Sequence, residues 1–152
     1  MMIIKILLSV IGIIFGYAGF FVFLILQNYQ AAVWAFFTGL MSSILLQIHW
    51  LKYRNRISEY YTAHSLWSLA WIGLSIFIIG FSAFIFNFIT YCALLPPILP
   101  VNTSIIISIV WCFLTFKTGI VLFWYARKYA HFVHGERAHL LETNQRRQPV
   151  SA

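Results

Sequence analysis

Residues 65–94 read SLWSLAWIGLSIFIIGFSAFIFNFITYCAL and contain no charged side chain. A helix needs about 20 consecutive apolar residues to cross the hydrocarbon core of a bilayer, and this stretch exceeds that length. Three further apolar stretches lie on either side of it, at residues 3–26, 31–51 and 104–125. The sequence therefore predicts an all-α integral membrane protein with four transmembrane helices.

The composition of the whole chain favours the same fold class. Of its 152 residues, 62% are hydrophobic and 9% are charged, whereas ordinary soluble domains are about 45–50% apolar and about 25% charged. Glu59, Glu136 and Glu142 are the only acidic residues in the sequence. They provide too few carboxylates for most acid–base chemistry or for a hard metal ion, so we expect no enzymatic activity.

The distribution of basic residues predicts the orientation of the helices. Nine of the ten lie near the N-terminus, between the second and third spans, or after the fourth span. Lysine and arginine are enriched on the cytosolic side of membrane proteins, so we expect both termini in the cytosol. The domain organisation that follows is a four-helix transmembrane domain at residues 1–127 and a cytosolic tail at residues 128–152. Because topology accounts for the basic charge, we expect no nucleic-acid partner.

Lys117 is the tenth basic residue and lies deep in the fourth predicted span. It is about 15–20 Å from either end of that span, which is too far for its ammonium group to reach the interface easily. Ionisable groups at this depth usually face a partner or a wet cavity. Three alternatives stay open: a neutral lysine; a lysine hydrogen-bonded to carbonyls or to Gln47, Asn87 or serine side chains; and a lysine whose counter-charge arrives with an anionic substrate.

The helical face around Lys117 combines aromatic and cationic side chains. At 100° per residue, Phe113, Val121, Trp124 and Lys128 fall within about 40° of Lys117 on that face. Such a face suits a flat apolar molecule with acid groups, because rings stack on aromatic side chains and carboxylates pair with ammonium groups. The alternative is a packing face that happens to contain a lysine.

His49 is the only histidine inside a predicted span. A neutral imidazole nitrogen is a good ligand for iron, although a buried histidine is also a common hydrogen-bonded structural group. The histidines after the fourth span are expected to be solvated, because no cysteine or carboxylate completes a tight metal site there.

Two segments in and after the fourth span resemble a known family. Residues 108–117 read SIVWCFLTFK, and residues 125–132 read YARKYAHF. They are similar to the signature of the eukaryotic heme-responsive-gene family of heme transporters. That family combines a Trp-x-Phe-x-x-Phe-Lys segment in its fourth span with an aromatic-Ala-Arg-Lys-Tyr motif just after it. It also has four spans, cytosolic termini and a histidine in span two.

The resemblance implies transport of heme into the cytosol, from outside the cell or from an endosomal or lysosomal lumen. Heme is then the transported substrate, and no cofactor is permanently bound. The resemblance makes His49 the heme-iron ligand of the second span. It makes Tyr125, Arg127, Lys128 and Tyr129 the exit-side motif, with tyrosine at position 125 where the motif often has phenylalanine.

The remaining candidate heme-binding residues follow from the helical face and from one departure from the family. We expect Lys117 and the Arg127/Lys128 pair to guide the heme propionates and Trp124 to contribute an aromatic surface. Some family members have a histidine in the outer loop, where this chain has Tyr91. Tyrosinate also binds ferric heme, so Tyr91 is the candidate outer-side ligand.

Two other classes of protein fit parts of the sequence. A membrane cytochrome with two histidine ligands needs paired histidines within its spans, whereas His49 is alone there. A tetraspan scaffold or adaptor without a transported substrate fits the composition equally well, but it gives no reason for Lys117. We also expect a homo-oligomer in the lipid bilayer, because four helices are few for enclosing a path as wide as a porphyrin.

The tail contains a pattern read by sorting adaptors. Glu136 is followed by Arg-Ala-His and then by Leu140 and Leu141, which fits the acidic dileucine pattern recognised by cytosolic adaptors. It predicts an endosomal or lysosomal membrane, with the plasma membrane as the alternative. The other interpretation is that the two leucines rest on the membrane surface.

Overall fold

The computed structural model describes residues 2–95 and 104–147, and within these ranges every regular element is a helix. In chain order the helices are α1 (Met2–Ile25), α2 (Tyr29–Tyr53), α3 (Ile57–Tyr60), α4 (Ala63–Leu94) and α5 (Ile105–Arg147). Helices α1, α2, α4 and α5 are long and apolar enough to cross a membrane. The all-helical class and the four candidate spans are confirmed.

Polar side chains and left-handed residues set the helix boundaries. Asn28 caps α2 by accepting a hydrogen bond from the Ala31 amide at 3.1 Å, and Thr62 caps α4 in the same way through the Ser65 amide. These caps satisfy amides that have no partner within the first turn. Leu95, with φ 42°, ends α4 in the left-handed region.

Helix α5 is much longer than the predicted fourth span. Its 43 residues correspond to about 65 Å, roughly twice the thickness of a hydrocarbon core. The apolar stretch ends near Tyr125, but the following residues are mostly good helix formers and include no proline before Gln148. The helix therefore crosses the predicted domain boundary at residues 127 and 128 without a break. Residues 148–152 of the predicted tail lie outside the described residues.

Glycines allow the helices to pack as two antiparallel pairs. In the first pair, a Cβ added to Gly16 of α1 would lie 2.5 Å from the Cα of Gly39 in α2. In the second pair, a Cβ added to Gly73 of α4 would lie 2.9 Å from the carbonyl oxygen of Gly119 in α5. The backbones touch at both crossings, as is typical of small residues at membrane-helix interfaces.

The two pairs meet where α2 and α5 run parallel to each other. Near the start of both helices, Thr115 Oγ1 lies 2.9 Å from Thr38 Oγ1 and donates to the Trp34 carbonyl at 2.9 Å. Gln30 donates to Asn87 Oδ1 at 2.8 Å in the same half. We call this half of the bundle, where α2 and α5 begin, the neutral end.

The opposite half, where α1 begins and α2 ends, contains most of the basic residues, and we call it the basic end. Short helix α3 closes it by inserting Ile57, which is 1% exposed, among side chains of α2, α4 and α5. Tyr61 packs against the same cluster, and burial raises the pKa of its phenol. The buried members of this cluster are Met41, Leu45, Ile48, Ile57, Leu66, Leu122, Tyr129, Ala130 and Val133.

Candidate functional site

A cavity of about 340 Å³ lies between α1, α2 and α5 and reaches into the basic end. It is open on one side. Its described lining residues include two lysines, a histidine, a tyrosine and three hydroxyl side chains, but no carboxylate. The lining consists of Lys5, Leu8, Ser9, Ser42, Leu45, His49, Leu114, Lys117, Thr118, Val121 and Tyr125.

Trp111 fills the space between α1 and α5 at the far end of this cavity. Its ring contacts the backbone of α1 at Gly19, where an added Cβ would lie 2.6 Å from the indole. The same ring packs edge-on against Phe23, with centroids 5.9 Å apart. The cavity begins about one turn further along α5, at Leu114. Large aromatic side chains thus separate the cavity from the neutral end.

His49 is held in a fixed position at the basic end of the cavity. It is 2% exposed, and its Nδ1 is hydrogen-bonded to the phenol oxygen of Tyr129 at 3.1 Å. The Tyr125 ring lies edge-on to the imidazole, with centroids 4.7 Å apart. When Nδ1–H donates to Tyr129, Nε2 keeps a free lone pair, which is how metal-binding histidines are commonly oriented. Two residues of the predicted exit-side motif therefore contact the predicted iron ligand directly.

Lys5 reaches the same group of side chains from α1. Its ammonium nitrogen lies 4.6 Å from the centroid of the Tyr125 ring, within cation–π range. In the sequence, Lys5 is the basic residue near the N-terminus that contributes to the predicted orientation. Since α1 already begins at Met2, Lys5 lies on a helical face and points toward α5.

Lys117 also lines this cavity. Among the described residues, none forms an ion pair, hydrogen bond or ring contact with its ammonium group. The partners named as candidates are placed elsewhere: Asn87 bonds to Gln30 and to the Ala83 carbonyl, and Gln47 lines a separate groove beside Trp50. The second alternative from the sequence was a lysine hydrogen-bonded to its neighbours. Neither of the two amide side chains suggested for it, Gln47 and Asn87, is such a partner.

Trp124, Arg127 and Lys128 line a different groove, of about 520 Å³, together with His131. The Arg127 guanidinium lies 5.7 Å from the centroid of the Trp67 ring in α4. The helical face predicted from the sequence is thus divided: Lys117 and Val121 line the cavity beside α1 and α2, whereas Trp124 and Lys128 line the second groove. A helical wheel orders residues around one helix but does not locate its neighbours.

The remaining predicted site residues lie outside both spaces. Tyr91 is near the end of α4 at the neutral end, where its carbonyl accepts a hydrogen bond from the Leu95 amide at 2.8 Å. Glu136 lies on the extension of α5, as do Leu140 and Leu141, which are 57% and 67% exposed. Within the described part of the chain, no three His, Cys, Asp or Glu side chains form a group that could hold a metal ion.

Comparison with known proteins finds no matching family model, no matching curated protein and no matching solved structure. Sequence reasoning found His49, Lys117, Tyr125 and Tyr129, which the structure brings together, but it missed Lys5 and the hydroxyls of Ser9 and Ser42. A polar residue within an apolar helix was the available signal for all three.

Proposed function

We propose that this chain transports heme into the cytosol, as expected of a protein similar to the heme-responsive-gene family. The observation that supports it best is the lining of one cavity, where His49, Lys5 and Lys117 lie together with Tyr125. The described lining residues include no carboxylate. Heme combines an iron ion, a flat apolar ring and two propionate groups. The cavity offers an imidazole, an aromatic ring and ammonium groups to match them.

In this proposal His49 binds the heme iron through Nε2, and Tyr129 orients the imidazole through Nδ1. Lys117 pairs with a propionate inside the cavity, which supplies the counter-charge that none of the described residues provides. His49 is the single imidazole among the described lining residues, so iron ligation through His49 leaves a position open for exchange. Transient ligation suits a transported substrate better than a permanently bound redox cofactor.

Two further sets of residues extend the path in this proposal. Tyr91 is the outer-side ligand at the neutral end, where the segments between the spans, residues 27–30 and 95–103, contain no charged residue. Trp124, Arg127 and Lys128 form the exit-side surface, where the propionates leave the cavity for the cytosol. The start of α1 and the end of α2 lie at the basic end, which is the predicted cytosolic side, so heme moves from the neutral end toward the basic end. On this path it passes Trp111, whose ring separates the cavity from the neutral end and has to move aside.

We also propose that the protein functions as a homo-oligomer. The cavity volume of about 340 Å³ is near the lower end for pockets that enclose drug-sized ligands, and the cavity is open on one side. A second copy against this side would complete the enclosure. Cross-linking in membranes should give a dimer or a larger ring, and cross-linking that yields only monomer would contradict the proposal.

The exposed Leu140 and Leu141, with Glu136 one turn earlier, favour recognition by cytosolic sorting adaptors and an endosomal or lysosomal location. The double variant Leu140→Ala with Leu141→Ala should shift the protein toward the plasma membrane, as measured by surface biotinylation. An unchanged distribution would make the pattern incidental and leave heme transport untouched.

The deciding experiment for the proposed function is rescue of a heme-auxotrophic cell at low heme. The parent chain should restore growth, whereas His49→Ala at matched surface and vesicle abundance should not. A correctly located parent chain that gives no rescue would favour the scaffold alternative. An absorbance spectrum of the purified protein adds a second readout: weak binding of added heme is expected, whereas a stable low-spin heme would indicate a cytochrome.

A further inference from the structure

We infer that Lys5 and Lys117, from the first and last helices, form a two-ammonium site that binds both carboxylates of the ligand. This inference rests on the proposed function and assigns Lys5 to substrate binding, beside the residues of the fourth span. It also specifies the ligand class that the cavity selects, which is a flat amphipathic dianion.

The charge balance of the cavity supports binding of a dianion. Two lysines line it, and its described lining residues include no carboxylate. Two ammonium groups that line one cavity repel each other, and charged groups at membrane depth require a counter-charge, so the pair favours an anion. A dianion neutralises both of them, whereas a monoanion leaves one positive charge.

The contacts of Lys5 place its ammonium group beside the proposed iron ligand. Its ammonium nitrogen lies 4.6 Å from the Tyr125 ring centroid, and Tyr125 in turn packs against His49, with centroids 4.7 Å apart. A cation–π contact contributes less than a charge-assisted hydrogen bond to a carboxylate. Lys5 can therefore exchange the ring for a propionate without leaving its position beside the iron ligand.

The spacing of the two lysines suits two carboxylates on one ligand. Lys117 precedes Tyr125 by eight residues, or about 12 Å along α5, and Lys5 is at the level of Tyr125. The lysines thus enter the cavity at different depths and from different helices. Their flexible stems allow the ammonium groups to converge on two carboxylates attached to one edge of a rigid ring.

The test compares ferric heme with its dimethyl ester, in which both propionates are esterified and carry no charge. Binding to purified protein in detergent is followed by absorbance for the parent chain, Lys5→Gln, Lys117→Gln and a matched control, Lys52→Gln. Lys52 lies at the basic end over the Phe132 ring, outside the cavity. Each cavity variant should lose about tenfold or more in affinity for heme, as expected for a lost charge-assisted hydrogen bond, and should bind the ester like the parent. Lys52→Gln should bind both ligands like the parent.

Two further measurements separate this inference from the proposed function. Metal-free protoporphyrin retains both carboxylates, so Lys5→Gln should weaken its binding while His49→Ala should not. Lys5→Arg keeps the charge and should keep most of the heme affinity, which excludes a general loss of folding. Parental heme affinity in Lys5→Gln would overturn the inference and leave heme transport standing. A folded parent chain that binds neither heme nor protoporphyrin would overturn both.

Discussion

The neutral end and the basic end of the bundle are built from the same helices, yet their polar side chains are used differently. At the neutral end, Thr38 bonds to Thr115 and Gln30 bonds to Asn87 across helix interfaces. In the cavity that reaches into the basic end, Lys117 has no partner among the described residues. Polar groups that bond to each other stabilise the bundle, whereas polar groups left facing a cavity are available to a ligand.

The aromatic side chains separate the two ends. Trp111 closes the gap between α1 and α5 against Gly19, and the cavity opens where the α5 residues facing α1 become smaller or polar, such as Thr118 and Val121. Substitutions in the hydrogen-bonded pairs Thr38–Thr115 and Gln30–Asn87 should therefore change stability and leave heme binding in the cavity intact. Substitutions in the cavity should do the opposite.

The largest expected effect comes from reversing a charge in the cavity. Lys117→Glu replaces an ammonium group with a carboxylate that repels the propionates, so the affinity for ferric heme should fall by about 100-fold, roughly two lost charge-assisted interactions. An absorbance titration measures this change. Thermal unfolding of the variant should match the parent, and parental affinity would show that Lys117 does not contact the ligand.

The next largest effect tests the orientation of His49. Tyr129→Phe removes the hydroxyl that is hydrogen-bonded to His49 Nδ1. Ferric heme binding should weaken by about tenfold, which is the lower end of the loss in metal affinity when a group that orients a metal ligand is removed. Binding of metal-free protoporphyrin should stay at the parental level, because it does not use the imidazole as a ligand. Equal losses for both ligands would instead indicate that Tyr129 only supports packing.

A smaller effect is expected at the neutral end. Thr38→Val with Thr115→Val removes two interhelical hydrogen bonds, between the two hydroxyls and from Thr115 to the Trp34 carbonyl. Such bonds in membrane bundles contribute about 0.6 kcal/mol each on average. The melting temperature in detergent should fall by a few degrees while the affinity for heme stays unchanged. A loss of affinity comparable to that of Lys117→Gln would remove the distinction between the two ends.

The smallest effect is expected from a basic residue outside the cavity. Arg56 forms an exposed ion pair with Glu59, with the charged atoms 3.8 Å apart, and such pairs contribute little. Arg56→Gln should change neither the melting temperature nor the affinity for heme measurably. A clear loss of heme affinity would mean that overall positive charge, rather than the two cavity lysines, attracts the ligand.

The sequence predicted the helices more accurately than it predicted which side chains meet between them. The number of spans follows from apolar length. The extension of α5 was missed, because hydropathy ends near Tyr125 while helix propensity continues to Arg147. The division of Lys117 from Trp124 and Lys128 was missed because adjacent positions on a wheel can face different neighbouring helices.

By itself, the sequence determined that four stretches are apolar and long enough to span a bilayer, and that Lys117 and His49 are polar exceptions within them. These are local properties, fixed by composition over about 20 residues. Only the tertiary structure decided that His49 meets Tyr125 and Tyr129, and that Lys5 joins Lys117 in one cavity. Such contacts depend on how helices cross, which is set by packing between residues far apart in the chain, such as Gly16 with Gly39 and Thr38 with Thr115.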